Sequence, residues 1–199
     1  MAVRGPVAGE IVGLLLAAGS GSRFGADKLL HPLADGTPMA VTAGRRLRDC
    51  CDHTVAVVRP GSDRLAELLG AEGVATVVSE ESIHGMGHSL AAGVRATPEA
   101  AGWIVALADM PFIEPASYQC VKAALRDGAA IAAPMQGGRR GHPVGFAARW
   151  CDALSRLTGD EGARAIVAMA AADLVACAVD DPGIHRDIDT ILDLDGAAS

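Results

Sequence analysis

Seven short apolar runs, at residues 11–17, 53–58, 75–78, 103–107, 130–134, 143–146 and 174–179, alternate with helical patterns at 38–50, 62–70, 86–96, 115–127, 149–157 and 161–172. Strands that are apolar throughout must be covered on both faces, and strands separated by helices pair mostly in parallel. The expected architecture is therefore an α/β three-layer sandwich with a mostly parallel central sheet. Half of the residues are hydrophobic but only 3% are aromatic, so Ala, Val, Leu and Ile must build the core. Alanine on that scale suits helices laid closely against a sheet. Pro115 fits a first helical turn, and Asp160 is expected to cap a helix beginning near Glu161. Residues 1–9 read as an N-terminal extension and 10–199 as one domain. Ligands of such sheets sit outside the carboxyl ends of the strands, where the strand order reverses.

Charge and cysteine usage exclude several classes. A net charge of −7 argues against nucleic acid or an anionic membrane as partner, since both want a basic surface. The five cysteines are odd in number and lack C-x-x-C spacing, so neither a disulfide framework nor a zinc cluster is expected. Cys50 and Cys51 read as packing residues in a reduced, cytoplasmic protein. The run 11–18 follows Glu10 directly and is short for a signal-peptide core, and no run reaches transmembrane length.

Chemistry concentrates in a few segments. The first apolar run breaks into Ala17-Ala18-Gly19-Ser20-Gly21-Ser22-Arg23-Phe24-Gly25-Ala26-Asp27-Lys28. Backbone that wraps phosphates needs glycine, because a Cβ blocks close approach, and Arg23 and Lys28 supply cations within an acidic chain. The spacing is neither G-x-G-x-x-G nor G-x-x-x-x-G-K-[ST], and an ordinary glycine-rich turn is the plainer alternative. Asp109 ends the fourth run and is stopped by Pro111, a position suited to Mg²⁺, although a turn aspartate would look the same. Asp187 and Asp189 fall on one side of an extended segment, and either can complete a metal shell. In 85–93, first-turn amides such as that of Gly87, together with Ser89, suit an anion or a base edge. His84 and His88 stand four apart without an H-E-x-x-H pattern, which argues against zinc and leaves His88 as a polar residue near a nucleotide.

These segments together resemble the nucleotidyltransferases, and the molybdenum cofactor cytidylyltransferases in particular. The likeness runs over about 11–194 through L-A-A-G-x-G-x-R-F-G-x-x-K, the Asp109 segment, G-M-x-x-S-L-x-x-G, G-H-P-V-x-F and G-D-x-G-A-R. It implies a Rossmann-like sandwich that joins CMP from CTP to the terminal phosphate of molybdopterin, releasing pyrophosphate, with a molybdoenzyme as possible client. It implies nucleotide binding by Leu16, Ala17, Ala18, Gly19, Ser20, Gly21, Arg23, Lys28, Gly87 and Ser89. Arg23, Lys28 and Asp109 would be catalytic, Asp109 and Asp189 would hold Mg²⁺, and Arg140, His142, Asp160 and Arg164 would face the acceptor. The stretch after Asp189 departs from the family's Thr-Pro-Glu-Asp-Leu pattern, reading Thr190-Ile191-Leu192-Asp193-Leu194. Alternatives are a GTP-using relative, one acting on another phosphate acceptor, and a non-catalytic protein that binds the cofactor. An NAD-dependent dehydrogenase fits poorly, because Val58-Arg59-Pro60 stands where an acidic residue should end the second strand.

Overall fold

The apolar runs form strands β1 (Ile11–Ala17), β2 (His53–Val58), β3 (Ala75–Val78), β4 (Gly102–Leu107), β5 (Ile131–Gln136), β6 (Arg139–Arg140), β7 (Val144–Ala147) and β8 (Leu174–Ala178). The helices are α1 (Met39–Cys50), α2 (Asp63–Ala71), α3 (Met86–Ala96), α4 (Pro115–Arg126), α5 (Cys151–Ser155), α6 (Arg164–Met169) and α7 (Leu192–Asp195). This is a computed structural model, and it describes residues 8–19, 24 and 27–195. The sheet order is β3-β2-β1-β4-β7-β5-β6, with β8 also paired to β5. Pairings among β1 to β4 are β1 with β2, β1 with β4 and β2 with β3, all parallel, as is β5 with β8, while β7 is antiparallel to β4 and β5. The expected α/β sandwich with a mostly parallel central sheet is the observed one.

Period-two alternation within β1 builds two cores at once. Ile11, Leu15 and Ala17 pack with Ala43 and Leu47 of α1, Leu69 of α2 and Val121 of α4 on one face. Val12, Leu14 and Leu16 pack with Leu90 and Val94 of α3 and Val167 of α6 on the other. The small residues set the spacing between layers. A Cβ on Gly13 would lie 2.7 Å from Leu47 Cγ, so only glycine lets α1 sit this close to the central strand.

The chain runs outward from β1 through β2 to β3, then returns to place β4 on β1's other side. The reversal opens a crevice between the carboxyl ends of β1 and β4. Two expectations are corrected near its rim. The helix expected over 161–172 is shorter, running as α6 over Arg164–Met169 and followed by a 3-10 turn at Ala171–Asp173. Gly159 and Gly162 adopt φ values of +70° and +55°, which end helical geometry, and α6 starts only at Arg164 with Ala163 as N-cap. Asp160 is therefore not a helix cap. The basic segment 139–146 holds a hairpin strand, β6, that the apolar pattern did not reveal.

One buried carboxylate fixes the C-terminal segment across the strand ends. Asp181 is 2% exposed and accepts from Glu114 N at 2.8 Å, Ser117 Oγ at 2.6 Å and Gly183 N at 2.9 Å. It thereby tethers the start of α4, which begins at Pro115 as expected. Asp181→Ala would leave these donors in a dry site and is expected to cost about 3 kcal/mol. For a chain of this size that corresponds to a melting-temperature loss of roughly 6–12 °C, readable by calorimetry.

Candidate active site

Lys28 stands on a single 3-10 turn, Lys28–Leu30, which Leu29 anchors in the core. Its side chain is 8% exposed, and Nζ donates to Asp109 Oδ2 at 3.0 Å and to Asp189 Oδ1 at 3.1 Å. Burial disfavours the ammonium, but the Asp109 charge and the hydrogen bonds to both carboxylates outweigh it and raise the Lys28 pKa. Residues 81 and 161 positions away thus converge on one lysine.

Backbone geometry delivers each carboxylate. Asp109 follows β4 in a turn closed by Met110 N to Leu107 O, beside Ala108 N bound to Leu16 O of β1. Ile188 N donates to Asp109 O at 3.0 Å, and the fully buried Ile188 packs with Phe24 and Met39, which sets Asp189 opposite Asp109. Asp193 Oδ2 accepts from Asp189 N, Thr190 N and Thr190 Oγ, and those bonds lower its pKa. The departure from the family pattern therefore preserves an ordered turn, with Asp193 as its cap. Asp187 is exposed, and Asp189 rather than Asp187 meets Lys28.

Two clefts meet beside this cluster. The first, about 500 Å³, is lined by Leu16, Ala18 and Gly19 of β1 and its loop, Arg59 after β2, Ser89 of α3 and Asp109. The second, about 480 Å³, is lined by Arg140, His142, Asp160 and Arg164 over an apolar floor that includes Val144 and Phe146. Leu16, Met86, Leu107 and Asp160 belong to both. The four residues expected to face an acceptor thus share one cavity, brought together from two segments, 140–142 and 160–164. Burial, then the Arg140 charge, lowers the His142 pKa and favours a neutral imidazole.

Other expectations fare differently. Ser20, Gly21 and Arg23 lie outside the described residues. Ala17 is 2% exposed and packs into the α1 face of the core, because it alternates with the cleft-lining Leu16 and Ala18. The Gly87 amide does not face the cleft as an open donor: it donates to Gly159 O at 2.8 Å. A Cβ there would lie 2.6 Å from Thr158 O, so glycine serves the close approach of loop 158–160 to α3. His88 stacks edge-on with His84 at 5.9 Å and lies 3.9 Å from Glu81, outside both cleft linings. Arg59 and Asp181 were missed as contributors. The only sequence signal for Arg59 was its place at the end of an apolar strand.

Among the described residues no group of three or more His, Cys, Asp or Glu could hold a metal. The Asp109–Asp189 pair still suits Mg²⁺, which takes one or two carboxylates and completes its shell with phosphate and water. Lys28 shows that both carboxylates can face one cation. No helix among the described residues is long and apolar enough to cross a membrane.

A doubly wound α/β sheet with paired clefts at its strand-order reversal defines a Rossmann-like, ligand-binding class of protein. The MobA-like NTP transferase domain model matches residues 13–187, and the chain belongs to that family. A molybdenum cofactor guanylyltransferase of Burkholderia vietnamiensis is 46% identical over 90 residues, covering 44% of this chain and 43% of that protein. The match thus spans less than half the length of that relative. Purine catabolism protein PucB of Bacillus subtilis is 30% identical over 193 residues, covering 90% of this chain and 92% of that one. The crystal structure of Rv0371c from Mycobacterium tuberculosis superposes with a TM-score of 0.81 at 27% identity, covering 96% and 98% of the two chains. The same protein in complex with manganese gives 0.78 at 25%, covering 94% and 97%.

Proposed function

We propose that this protein is a cytidylyltransferase, joining CMP from CTP to the terminal phosphate of a molybdopterin-type acceptor. One domain over residues 10–199, with 1–9 as an extension, carries the reaction. The observation that carries the reading is the Lys28–Asp109–Asp189 cluster beside two adjoining clefts of about 500 and 480 Å³. One cleft takes the nucleotide and the other the acceptor, so the reacting phosphates meet next to Lys28.

An acceptor phosphate oxygen attacks the α-phosphorus, the bond from that phosphorus to the oxygen bridging to the β-phosphate breaks, and pyrophosphate leaves. The acceptor is already anionic, so no general base is required. Lys28 supplies positive charge to the α-phosphate as negative charge builds in the transition state. Amides of the 19–25 loop and Arg23 hold the β- and γ-phosphates. Asp109 and Asp189 would hold Mg²⁺, which supplies charge neutralisation among crowded phosphates. Arg140 and Arg164 bind the acceptor's anionic groups, and His142 and Asp160 fix its orientation. Positioning and electrostatics suffice for chemistry of this kind.

Nucleotide choice has a structural handle. The Ala18 methyl lines the first cleft, and in this reading it narrows the space left for a purine. Discrimination at such a contact is worth roughly 1–3 kcal/mol, so kcat/KM for CTP should exceed that for GTP about tenfold to a hundredfold. Ala18→Gly should narrow the gap without reversing it, because the Ser89 side of the cleft is unchanged. A second reading, GTP as donor, is favoured by the name of the Burkholderia relative. Steady-state kinetics with both nucleotides decide between them, and a wild type that prefers GTP selects the second.

A further inference from the structure

Arg59 has no role in the reaction as described so far, yet it stands in the first cleft. It directly follows β2, is partly buried, and lines the cavity with Ala18, Ser82, Ser89 and Asp109. Arg45, Arg48, Arg95 and Arg126 each hold a carboxylate, and Arg46 and Arg186 each hold a backbone carbonyl. No described residue takes a hydrogen bond or ion pair from the Arg59 guanidinium, a condition it shares with Arg140 and Arg164 of the second cleft. A partly buried arginine in a concave site, without a partner among the described residues, is a donor set prepared for a ligand.

The sheet order says which part of the ligand. β1 separates β2 from β4. Strands lie about 4.8 Å apart, so the end of β2 is about 10 Å from the end of β4. The Lys28–Asp109 cluster marks the phosphate end at β1 and β4. A nucleotide laid across the strand ends then places its base over β2, beside Arg59 and α3. Ser82 offers little there, because its hydroxyl donates to Ser79 O at 2.6 Å.

Building on the nucleotidyltransferase reading, we infer that Arg59 reads the edge of the nucleobase. A guanidinium presents donors in a planar fork and no acceptor. It pairs twice with neighbouring acceptors, which cytosine offers as O2 and N3 and guanine as O6 and N7. Adenine sets its N6 donor beside N1 and N7, and uracil separates O2 from O4 with the N3 donor. Arg59 therefore selects cytosine and guanine against adenine and uracil, while Ala18 separates cytosine from guanine.

Dissociation constants of CTP, GTP, ATP and UTP with Mg²⁺, measured by calorimetry on the full chain, test this. Wild type should bind its preferred triphosphate about tenfold to a hundredfold more tightly than ATP or UTP, the span of one good bidentate pair. In Arg59→Met that gap should shrink to about threefold, with the ATP affinity nearly unchanged. Arg59→Lys keeps the charge but loses the fork, and should lose the preference too. If Arg59→Met weakens all four nucleotides alike and Arg59→Lys restores them, Arg59 binds phosphate and the inference fails. Unchanged ranking in Arg59→Met also overturns it, leaving the nucleotidyltransferase reading in place. A wild type that binds none of the four overturns both.

Discussion

Asp109→Asn should show no turnover above the metal-free background, measured as pyrophosphate release across a magnesium titration. The substitution keeps side-chain size but removes the charge that would anchor the ion. It also removes one of the two carboxylates that hold Lys28, at 3.0 Å, so the lysine would be left on Asp189 alone. Asp189→Asn should act in the same direction, and Asp187→Asn should be milder, because Asp189 is the residue that meets Lys28. Equal activity of the three variants at every magnesium concentration would remove the metal site from the mechanism. The melting temperature should change little, since Asp109 and Asp189 sit at the cleft rather than in either core.

Lys28→Ala is the second large effect expected. One preorganised electrostatic group is worth about two to three orders of magnitude in kcat. The loss should fall on kcat more than on KM, because the charge Lys28 answers develops only in the transition state. Deleting the lysine also leaves Asp109 and Asp189 facing each other without their shared cation, so nucleotide-free Lys28→Ala should gain apparent stability from added Mg²⁺. Near wild-type pyrophosphate release by Lys28→Ala would show that this loop is not the catalytic one. The same assay separates an enzyme from a non-catalytic cofactor-binding protein, which would release no pyrophosphate from the outset.

The elements that the sequence determined are those whose signal is local. The boundaries of β1, β2 and β3 match the apolar runs residue for residue; in β1 and β2 continuous burial writes itself as continuous hydrophobicity, whereas β3, at the sheet edge, is apolar but only half covered. Pro115 marks the start of α4 for an equally local reason, its fixed φ and missing amide proton. Local pattern failed at 161–163, where Gly162 at positive φ delays the start of a helix, and at β6, where two exposed arginines pair with β5 in a hairpin. The candidate residues Lys28, Asp109, Arg140, His142 and Asp189 were legible as residue types in motifs. Their meeting was not, because it depends on contacts between distant segments: β4 beside β1, the Asp181 clamp on α4, and Ile188 bound to Asp109 O. Only the tertiary structure could turn Ala17 into the core while Leu16 and Ala18 face the cleft. It likewise occupied the Gly87 amide with a loop carbonyl and left the Arg59 guanidinium in the first cleft without a partner among the described residues. The physical reason is the same in each case: side-chain chemistry is written in the chain, but which groups share a cavity is decided by the order in which the strands are laid side by side.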